Sequence, residues 1–414
     1  MTRPGGGFGA DGRGDAESPI TLVGGRTTVP ILRRRSVAIA ALTALSVAMT
    51  AAAAPAPAGS PGGGRGLQRL LDGLVHAKGG PPGVIVVLRG DGRTVVLRAG
   101  HGALEEERPP RIDDHMRIAS VAKAFSGAVA LRLVSRGRLG LDDTLAKRLP
   151  DLPAQWGRVT LRQLLQHTSG LPDFSRAPAF GQILRQDPHH RFASRRLLHF
   201  VADQPLAFAP GTRYAYSNSD NIAVALMAEA VTHQRYEKLL DELVYDPLEL
   251  DATSLPGGFT LPAPYLHGYL VTPSGPQDVS TQFGNSGVWA SGGVVSTPRD
   301  LSVFIGAYAG GRLVSPAVRR QQLSFVDGGS QPPGPGRNEA GLGIFRYTTR
   351  CGVVYGHTGN TAGYTQLALA TADGRRSMTF SVNAQITPGG NAALFDRMRA
   401  IEEDFTCALL HGDS

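Results

Sequence analysis

The chain has 414 residues, of which 42% are hydrophobic and 18% are charged. This composition supports a large buried core and excludes a disordered or fibrous protein. The formal charge is +8, but only four of the basic residues are lysines and the arginines are scattered along the whole length. The sequence therefore argues against nucleic acid as a partner.

Residues 1–58 have the order of a targeting leader. Arginines at 33–35 precede an apolar run at 37–54, and small residues follow at 55–58. This is the order of the three regions of a signal peptide, which predicts a secreted protein. The alternative is a membrane anchor, because the run is close to the lower limit of about 18 residues for a membrane-spanning helix.

A Pro/Gly-rich linker at 59–65 is expected to lead into one domain over 66–410. Apolar spacing and turn residues predict, in chain order, a helix over 67–76, strands over 84–88 and 94–97, a buried helix over 120–135, mainly helical structure at about 145–270, strands over 343–347, 353–355, 364–370 and 377–382, and a closing helix over 391–410. The pattern predicts an α+β fold, with an antiparallel sheet built from both chain ends, flanking helices and an inserted helical region. A functional site is expected in the cleft between these parts.

The predicted buried helix begins with Ser120-Val-Ala-Lys123, the only Ser-x-x-Lys in the sequence. A spacing of three places both side chains on one helix face, so that the lysine amine can reach the serine hydroxyl. The helix start favours negative charge and burial lowers the pKa of a lysine, so the pair suits a nucleophile and its base. The alternative is a helix-starting serine with a lysine that extends to solvent.

Two further motifs carry groups that complement this pair. Tyr216-Ser-Asn218 lies in a predicted turn before a helix at 221–231, where a phenol can relay a proton and an amide can orient a carbonyl. His357-Thr-Gly359 follows a predicted edge strand, where glycine lets a substrate backbone approach and the next N–H can point into the cleft. Taken alone, these residues are equally typical of a packing aromatic, a helix cap and a chance tripeptide.

The chain has two cysteines, Cys351 and Cys407. In an exported protein such a pair is more often bridged than free, which predicts a disulfide. Two separate buried thiols are the alternative.

The order and spacing of the three motifs resemble those of the serine beta-lactamase and penicillin-binding superfamily. Tyr-x-Asn follows Ser-x-x-Lys after about 95 residues, and His-Thr-Gly follows after about another 140. Tyr-x-Asn is similar to the class C motif, and His in the third motif is similar to that of the secreted D-alanyl-D-alanine carboxypeptidases. The resemblance covers roughly residues 66–410, with longer agreement at 117–126, 166–173, 214–218 and 355–359.

The resemblance implies a serine-type D-alanyl-D-alanine carboxypeptidase that acts on peptidoglycan stem peptides through an acyl-enzyme, or on another small acyl substrate. The implied catalytic residues are Ser120, Lys123 and Tyr216, and the implied substrate-binding residues are Asn218, His357, Thr358, Gly359 and Asn360. Ser120 attacks the carbonyl, the N–H groups of Ser120 and Asn360 hold the oxyanion, and a disulfide joins Cys351 to Cys407. Beta-lactam antibiotics are expected to inhibit the protein, which we expect to be a monomer without cofactor or metal.

Two positions depart from the carboxypeptidase pattern. In close relatives, an arginine directly after a Gly-Leu-Gly-Leu segment binds the terminal carboxylate of the substrate. Here residues 341–344 are followed by Phe345, and Arg346 comes one place later, where a strand points it the other way. The threonine that usually follows His-Thr-Gly is Asn360. Arg350, or Arg346 through a bulge, is the candidate replacement for the missing arginine.

Other hypotheses remain at this point. A class C-like beta-lactamase or an esterase of the same fold is the alternative that Phe345 favours. A non-catalytic binding protein on this scaffold is a third, against which the three intact motifs argue. The eleven histidines show no spacing typical of a metal site. We expect Trp289 to pack in the core and His167 to fix a loop.

Overall fold

The structure is a computed structural model that describes residues 64–412. The predicted leader and most of the predicted linker lie outside these residues. The strands are β1 Gly83–Gly90, β2 Arg93–Gly100, β3 Met116–Arg117, β4 Tyr269–Thr272, β5 Gly275–Asp278, β6 Val295–Ser296, β7 Val326–Asp327, β8 Arg337–Ala340, β9 Phe345–Thr349, β10 Gly352–Thr361, β11 Tyr364–Ala370 and β12 Ser377–Val382. The helices are α1 Gly64–Val75, α2 Ala122–Ser135, α3 Leu145–Arg148, α4 Leu161–Leu165, α5 Pro178–Gln186, α6 Ser194–His199, α7 Asn218–Thr232, α8 Tyr236–Leu240, α9 Asp246–Leu248, α10 Trp289–Gly292, α11 Pro298–Ala309, α12 Pro316–Gln322 and α13 Ala392–His411.

Eight strands form one antiparallel sheet in the order β2-β1-β12-β11-β10-β9-β8-β7. Within it β1 pairs with β12, so that Val84 lies opposite Val382. The sheet is therefore assembled from the two ends of the domain. The predicted α+β fold is confirmed, including the antiparallel sheet and its flanking helices.

Helices cover the two faces of the sheet in different ways. α1 and α13 pack together on one face, over Val84, Val86 and Leu88 of β1. α11 lies on the other face, against β1, β11 and β12. These strands are buried on both faces; β1 is a continuous apolar run, whereas serine and threonine alternate with apolar residues along β12.

The inserted region contains α3 to α9, within the predicted span of 145–270. α2 connects this region to the sheet, since it packs on α7 and α10 and also on β10. Eleven of its fourteen residues are buried, which explains a helix sequence that is apolar on almost every face. This helix brings its first turn to the end of β10.

Several elements differ from the prediction. β9 begins at Phe345 instead of 343, because Gly343 turns the chain with φ of +68° where it approaches Gly127 of α2. β10 is longer than predicted and contains the His-Thr-Gly motif, which was placed after the strand. The short strands β4, β5, β7 and β8 carry too few residues to give a periodic signal.

A disulfide joins Cys351 to Cys407, with the Cα atoms 5.2 Å apart, and it ties the turn before β10 to α13. Across 64–412, no helix is both long enough and apolar enough to cross a membrane.

Candidate active site

Ser120 lies in a tight turn between β3 and α2. A single 3-10 turn, Ala119–Val121, precedes α2. The N–H groups at the start of this helical segment have no partner within it. Ala119 has a φ of +48°, a left-handed conformation that a non-glycine residue adopts only when its surroundings impose it. The residues on both sides of Ser120 are buried, whereas Ser120 itself is partly exposed, so a substrate can reach its hydroxyl.

Lys123 lies one turn further on and is 1% exposed. Its Nζ is 3.0 Å from Ser120 Oγ, 2.8 Å from Asn218 Oδ1 and 2.7 Å from the Ser291 carbonyl oxygen. Both carbonyl oxygens only accept hydrogen bonds, so they take the two N–H groups of a neutral amine and leave its lone pair facing Ser120. Burial lowers the pKa of Lys123 to about 7, although two nearby carboxyl groups act in the opposite sense. The amine is thus placed and tuned as a base for Ser120.

Asn218 is held at the first turn of α7. The helix begins at this residue, three positions earlier than predicted, so the motif lies on the helix start and not wholly in a turn. The Asn218 Nδ2 donates to Asp173 Oδ2 and to Ser175 Oγ, both at 3.1 Å. These contacts fix the amide with its oxygen directed at Lys123.

Tyr216 packs beside the same amine, with Lys123 Nζ 4.9 Å from the centre of its ring. The Tyr216 hydroxyl is buried and makes no hydrogen bond to any residue of 64–412. Burial raises the pKa of Tyr216, an effect that the nearby Ser120 hydroxyl partly offsets. Tyr216 is therefore a neutral phenol at neutral pH, suited to pass on a proton but not to act as a resting phenolate.

A buried polar group behind Tyr216 was not predicted as part of the site. His167 stacks 4.5 Å from the Tyr216 ring, and its Nδ1 lies 2.7 Å from Asp220 Oδ2. The Ser217 N–H also points at this Nδ1, at 3.4 Å. Burial lowers the pKa of His167 to about 3, so this imidazole is uncharged at neutral pH, and burial raises the pKa of Asp220. His167 fixes the loop, as expected, and also positions Tyr216.

The His-Thr-Gly motif lies in the last part of β10, where one edge of the strand is open. β9 pairs with β10 only as far as Gly356, so residues 357–361 have a neighbour on the β11 side alone. A two-residue turn at 362–363 closes the β10–β11 hairpin, with Thr361 paired to Tyr364. Successive backbone N–H groups of a strand point alternately towards and away from its neighbour, so those of Thr358 and Asn360 point away from β11. The Asn360 N–H is therefore on the side of the nucleophile.

Gly359 is required for contact between β10 and the nucleophile turn. A Cβ at this position would lie 2.3 Å from the Ile118 carbonyl oxygen and 3.3 Å from the Ala119 Cβ. Only glycine allows the strand to lie against the turn. The Asn360 side chain points elsewhere: its Nδ2 donates to Thr365 Oγ1 at 3.0 Å and to the Ile386 carbonyl at 2.9 Å. Its only possible contribution to the cleft is its backbone.

The structure overturns the expectation that Arg346 or Arg350 replaces the missing carboxylate-binding arginine. Arg346 forms a two-pronged ion pair with Glu339 and lies over the ring of Phe325. Arg350 pairs with Glu403 and Asp404 of α13. Each guanidinium is thus already engaged with carboxylate groups of the protein.

Apolar and neutral groups occupy the place of that arginine. Phe345 is 2% exposed, and its ring packs edge-on against His357 at 4.9 Å. Burial, with a smaller effect of Lys123, lowers the pKa of His357 to about 3, so this imidazole is uncharged. Thr358 donates its hydroxyl to the Pro332 carbonyl at 2.7 Å. Neither Arg346 nor Arg350 is therefore a free cation on this side of the site.

Arg117 braces the opposite wall. Its buried guanidinium donates to the carbonyl oxygens of Ser280, Phe259 and Phe283 and to the Asn285 side chain. These bonds fix the loops on both sides of the β4–β5 hairpin beside β3. Since Arg117 is engaged with these carbonyl oxygens and with Asn285, it is a structural residue and not a free anion-binding group.

Trp289 packs in the core as expected. It is 6% exposed, its ring meets Tyr236 edge-on and its Nε1 donates to Glu237 at 3.0 Å. Across 64–412, no group of three or more His, Cys, Asp or Glu side chains is arranged to hold a metal ion.

Comparison with known proteins places this geometry in a family. The sequence model described as "Beta-lactamase" matches residues 67–403, which is most of the chain and all of the site. The chain belongs to the beta-lactamase family. This membership confirms the resemblance seen in the sequence, and it makes the protein a member of a serine hydrolase superfamily.

Individual relatives of this beta-lactamase family member are distant. Penicillin-binding protein 4* of Bacillus subtilis is 24% identical over 69% of this chain and 64% of its own length. Protein flp of Staphylococcus aureus is 29% identical over 45% of this chain, which spans 38% of that protein. The chain thus covers less than two thirds of the length of either relative.

Solved structures give broader coverage. A D-stereospecific amidohydrolase from Streptomyces sp. superposes with a TM-score of 0.69 at 29% identity, over 80% of this chain and 97% of its own. A D-amino acid amidase from Ochrobactrum anthropi SV3 reaches 0.74 at 23% identity, over 84% and 99%. At 23% identity the second likeness concerns the fold alone.

Proposed function

We propose that this chain is a serine hydrolase that forms an acyl-enzyme at Ser120 and cleaves amides or esters whose leaving group carries no carboxylate. One observation carries the proposal. The side of the site that would receive a terminal carboxylate has buried Phe345 and uncharged His357, and the arginines near it are paired with Glu339, Glu403 and Asp404. A carboxylate placed there would lose its hydration without gaining a cation, which costs several kcal/mol.

Acylation follows from the placement of Lys123. Ser120 Oγ attacks the substrate carbonyl carbon while its proton passes to the neutral Lys123 amine, whose Nζ lies 3.0 Å from Oγ. The N–H groups of Ser120 and Asn360 hold the oxyanion of the tetrahedral intermediate. The proton then passes to the leaving nitrogen or oxygen, directly or through the neutral Tyr216 phenol, and the carbon–leaving-group bond breaks. Water releases the acyl group by the same steps in reverse order.

The acyl portion is proposed to derive from a D-amino acid. Support comes from the Streptomyces amidohydrolase, whose D-stereospecificity is stated in its name and which is 29% identical over most of both chains. The Asn218 amide, fixed by Asp173, is the group we assign to the acyl side. A neutral D-aminoacyl amide combines this acyl preference with the uncharged leaving-group side.

The D-alanyl-D-alanine carboxypeptidase hypothesis stays a prediction, and the same test decides it. We would measure kcat/KM for N-acetyl-D-Ala-D-Ala and for the same dipeptide with an amidated C-terminus, which differ only in the terminal charge. The proposal expects the amidated peptide to be favoured by at least about tenfold, equivalent to about 1.4 kcal/mol. A preference of that size for the free carboxylate would establish the carboxypeptidase and refute the proposal.

Intact mass spectrometry tests the nucleophile separately. Incubation with the methyl ester of a penicillin, whose leaving-group side carries no free carboxylate, should add one drug mass to the wild-type protein and none to Ser120→Ala. Rapid turnover of the drug would identify a beta-lactamase, and absence of the adduct in both proteins would remove Ser120 from the mechanism. The L,L-dipeptide amide serves as the stereochemical control, and equal cleavage of both stereoisomers would refute the D-specific assignment.

Secretion is also a proposal. The leader at 1–58 lies outside the described residues, but the bridge between Cys351 and Cys407 is typical of a protein that folds in an oxidising compartment. N-terminal sequencing of the secreted protein should place cleavage close to residue 58. An uncleaved, membrane-bound product would favour the anchor.

A further inference from the structure

A second polar cavity lies far from Ser120. It has a volume of about 280 Å³ and opens where α11 crosses the ends of β1 and β12. Four of its thirteen lining residues are arginines, Arg89, Arg93, Arg312 and Arg375, and none is acidic. Its lining residues belong to β1, β2, α11, β12 and the turns beside them, and none belongs to α2, α7 or β10, which carry the active site.

Two of these arginines, Arg89 and Arg312, differ from their neighbours in lacking partners, whereas Arg375 pairs with Asp373. Within residues 64–412, the side chains of Arg89 and Arg312 form no hydrogen bond and no ion pair, although Arg89 is half-buried. Nearby, Arg376 pairs with Asp91 and Arg299 with Asp113. A partly buried guanidinium normally has an anionic or carbonyl partner, because its desolvation is costly.

The charges of these arginines act on each other. Burial lowers the pKa of Arg89, and the positive charges of Arg299 and Arg312 lower it further. Arg89 alternates with the β1 residues that face α1 and α13, so its side chain lies on the α11 side. Arg89 and Arg312 therefore create a positive field in the cavity, whereas Arg299, which does not line it, is balanced by Asp113.

Local packing does not require Arg312 to be an arginine. The last turn of α11 is capped by Arg319, which donates to the Ala309 carbonyl oxygen. Arg312, just beyond this helix, is consequently not needed as a cap and is exposed at the rim. Two unpartnered arginines on opposite sides of one cavity are better explained by a ligand than by the stability of the fold.

We propose that this arginine cavity binds a phosphate group. The planar guanidinium presents paired N–H donors that match phosphate oxygens, and a phosphate dianion has enough charge and acceptors to engage several arginines at once. A single carboxylate has only two oxygens and one charge. A cavity of this volume holds a phosphate together with bridging waters, each of which takes about 30 Å³. The site is separate from the proposed acyl transfer.

Calorimetric titration with inorganic phosphate and with tripolyphosphate tests the proposal at constant ionic strength. The proteins are the wild type, Arg89→Gln, Arg312→Gln and a control, Arg158→Gln. Arg158 is exposed in the loop before α4 and, within 64–412, also has no side-chain partner. We expect each cavity variant to weaken binding at least about tenfold and the control to stay within about twofold of the wild type.

Equal binding by all four proteins would overturn the proposal, as would equal affinity for sulfate and chloride, which would indicate nonspecific screening. Arg312→Gln keeps the test decisive if Arg89→Gln does not fold, because Arg312 is exposed at the rim. A glycerol phosphate oligomer distinguishes the source: equal affinity per phosphate indicates a single free group, and much tighter binding indicates a phosphodiester polymer.

Discussion

The pH dependence of acylation tests the role of Lys123 most directly. A lysine with the ordinary pKa of 10.5 would have about 0.03% of its amine neutral at pH 7, whereas the buried Lys123, with a pKa of about 7, has about half. Burial thus raises the reactive fraction roughly a thousandfold. Below pH 7 the neutral fraction falls about tenfold for each pH unit, so kcat/KM should fall from its plateau by about a hundredfold at pH 5.

Single-turnover acylation by a chromogenic ester between pH 5 and 9 measures this profile. His167 and His357 have pKa values of about 3, so they do not titrate in this range and cannot produce the inflection. Lys123→Arg keeps the positive charge but cannot release its proton, so the rate should drop at least about a hundredfold and the inflection should vanish. A flat profile for the wild type, or a variant that keeps the inflection, would refute the role of Lys123.

Three other changes have defined outcomes. Gly359→Ala should reduce kcat/KM at least about a hundredfold, because the added carbon displaces the nucleophile turn, whereas Gly389→Ala adds a carbon in open space and should leave the rate unchanged. Glu402→Gln should raise the free energy of unfolding at pH 9, measured by urea unfolding, by about 2 kcal/mol or more. Burial raises the pKa of Glu402 to about 8, so its ionisation weakens the fold as pH rises from about 4.5 to 8. The double variant Cys351→Ser and Cys407→Ser should lose about 4 kcal/mol, since the bridge closes a segment of 56 residues.

Each of these outcomes has a contrary result. Normal turnover by Gly359→Ala would show that β10 need not touch the nucleophile turn. A Glu402→Gln variant that gains as much stability at pH 4 as at pH 9 would mean that its charge is not the cause. Reduction of the wild type with dithiothreitol should reproduce the double-serine variant, and an unchanged melting temperature would contradict the stabilising role of the bridge.

The sequence predicted the strands and helices whose apolar patterns are long. β1 and α2 are long apolar runs and β12 alternates apolar with polar residues, so their patterns predict them, and Lys123 is a charge in such an apolar helix. Asp220 carries the same signal, an ionisable residue in the apolar part of α7. Asp173 lies in the stretch 166–173, but no residue pattern there predicts its contact with the Asn218 side chain.

Other features depend on pairing that a single sequence does not contain. Arg346 pairs with Glu339 of β8, and Arg350 pairs with two carboxylates of α13. No pattern in the sequence of either element predicts these ion pairs. The Ser291 carbonyl that fixes Lys123 is a backbone group, which leaves no residue-type signal. The extent of β10 was underestimated because glycine, histidine and asparagine interrupt its apolar alternation.

The pairing of β1 with β12 sets the order in which activity can arise during synthesis. Val84 and Val382 are about 300 residues apart, and closing a flexible loop of that length costs about 5 kcal/mol of chain entropy. A nascent chain that has emerged as far as α11 already carries Ser120 and Lys123, but it lacks β10 and therefore the Asn360 N–H. The oxyanion hole is incomplete until β10 has left the ribosome, so we expect no acyl transfer before that point.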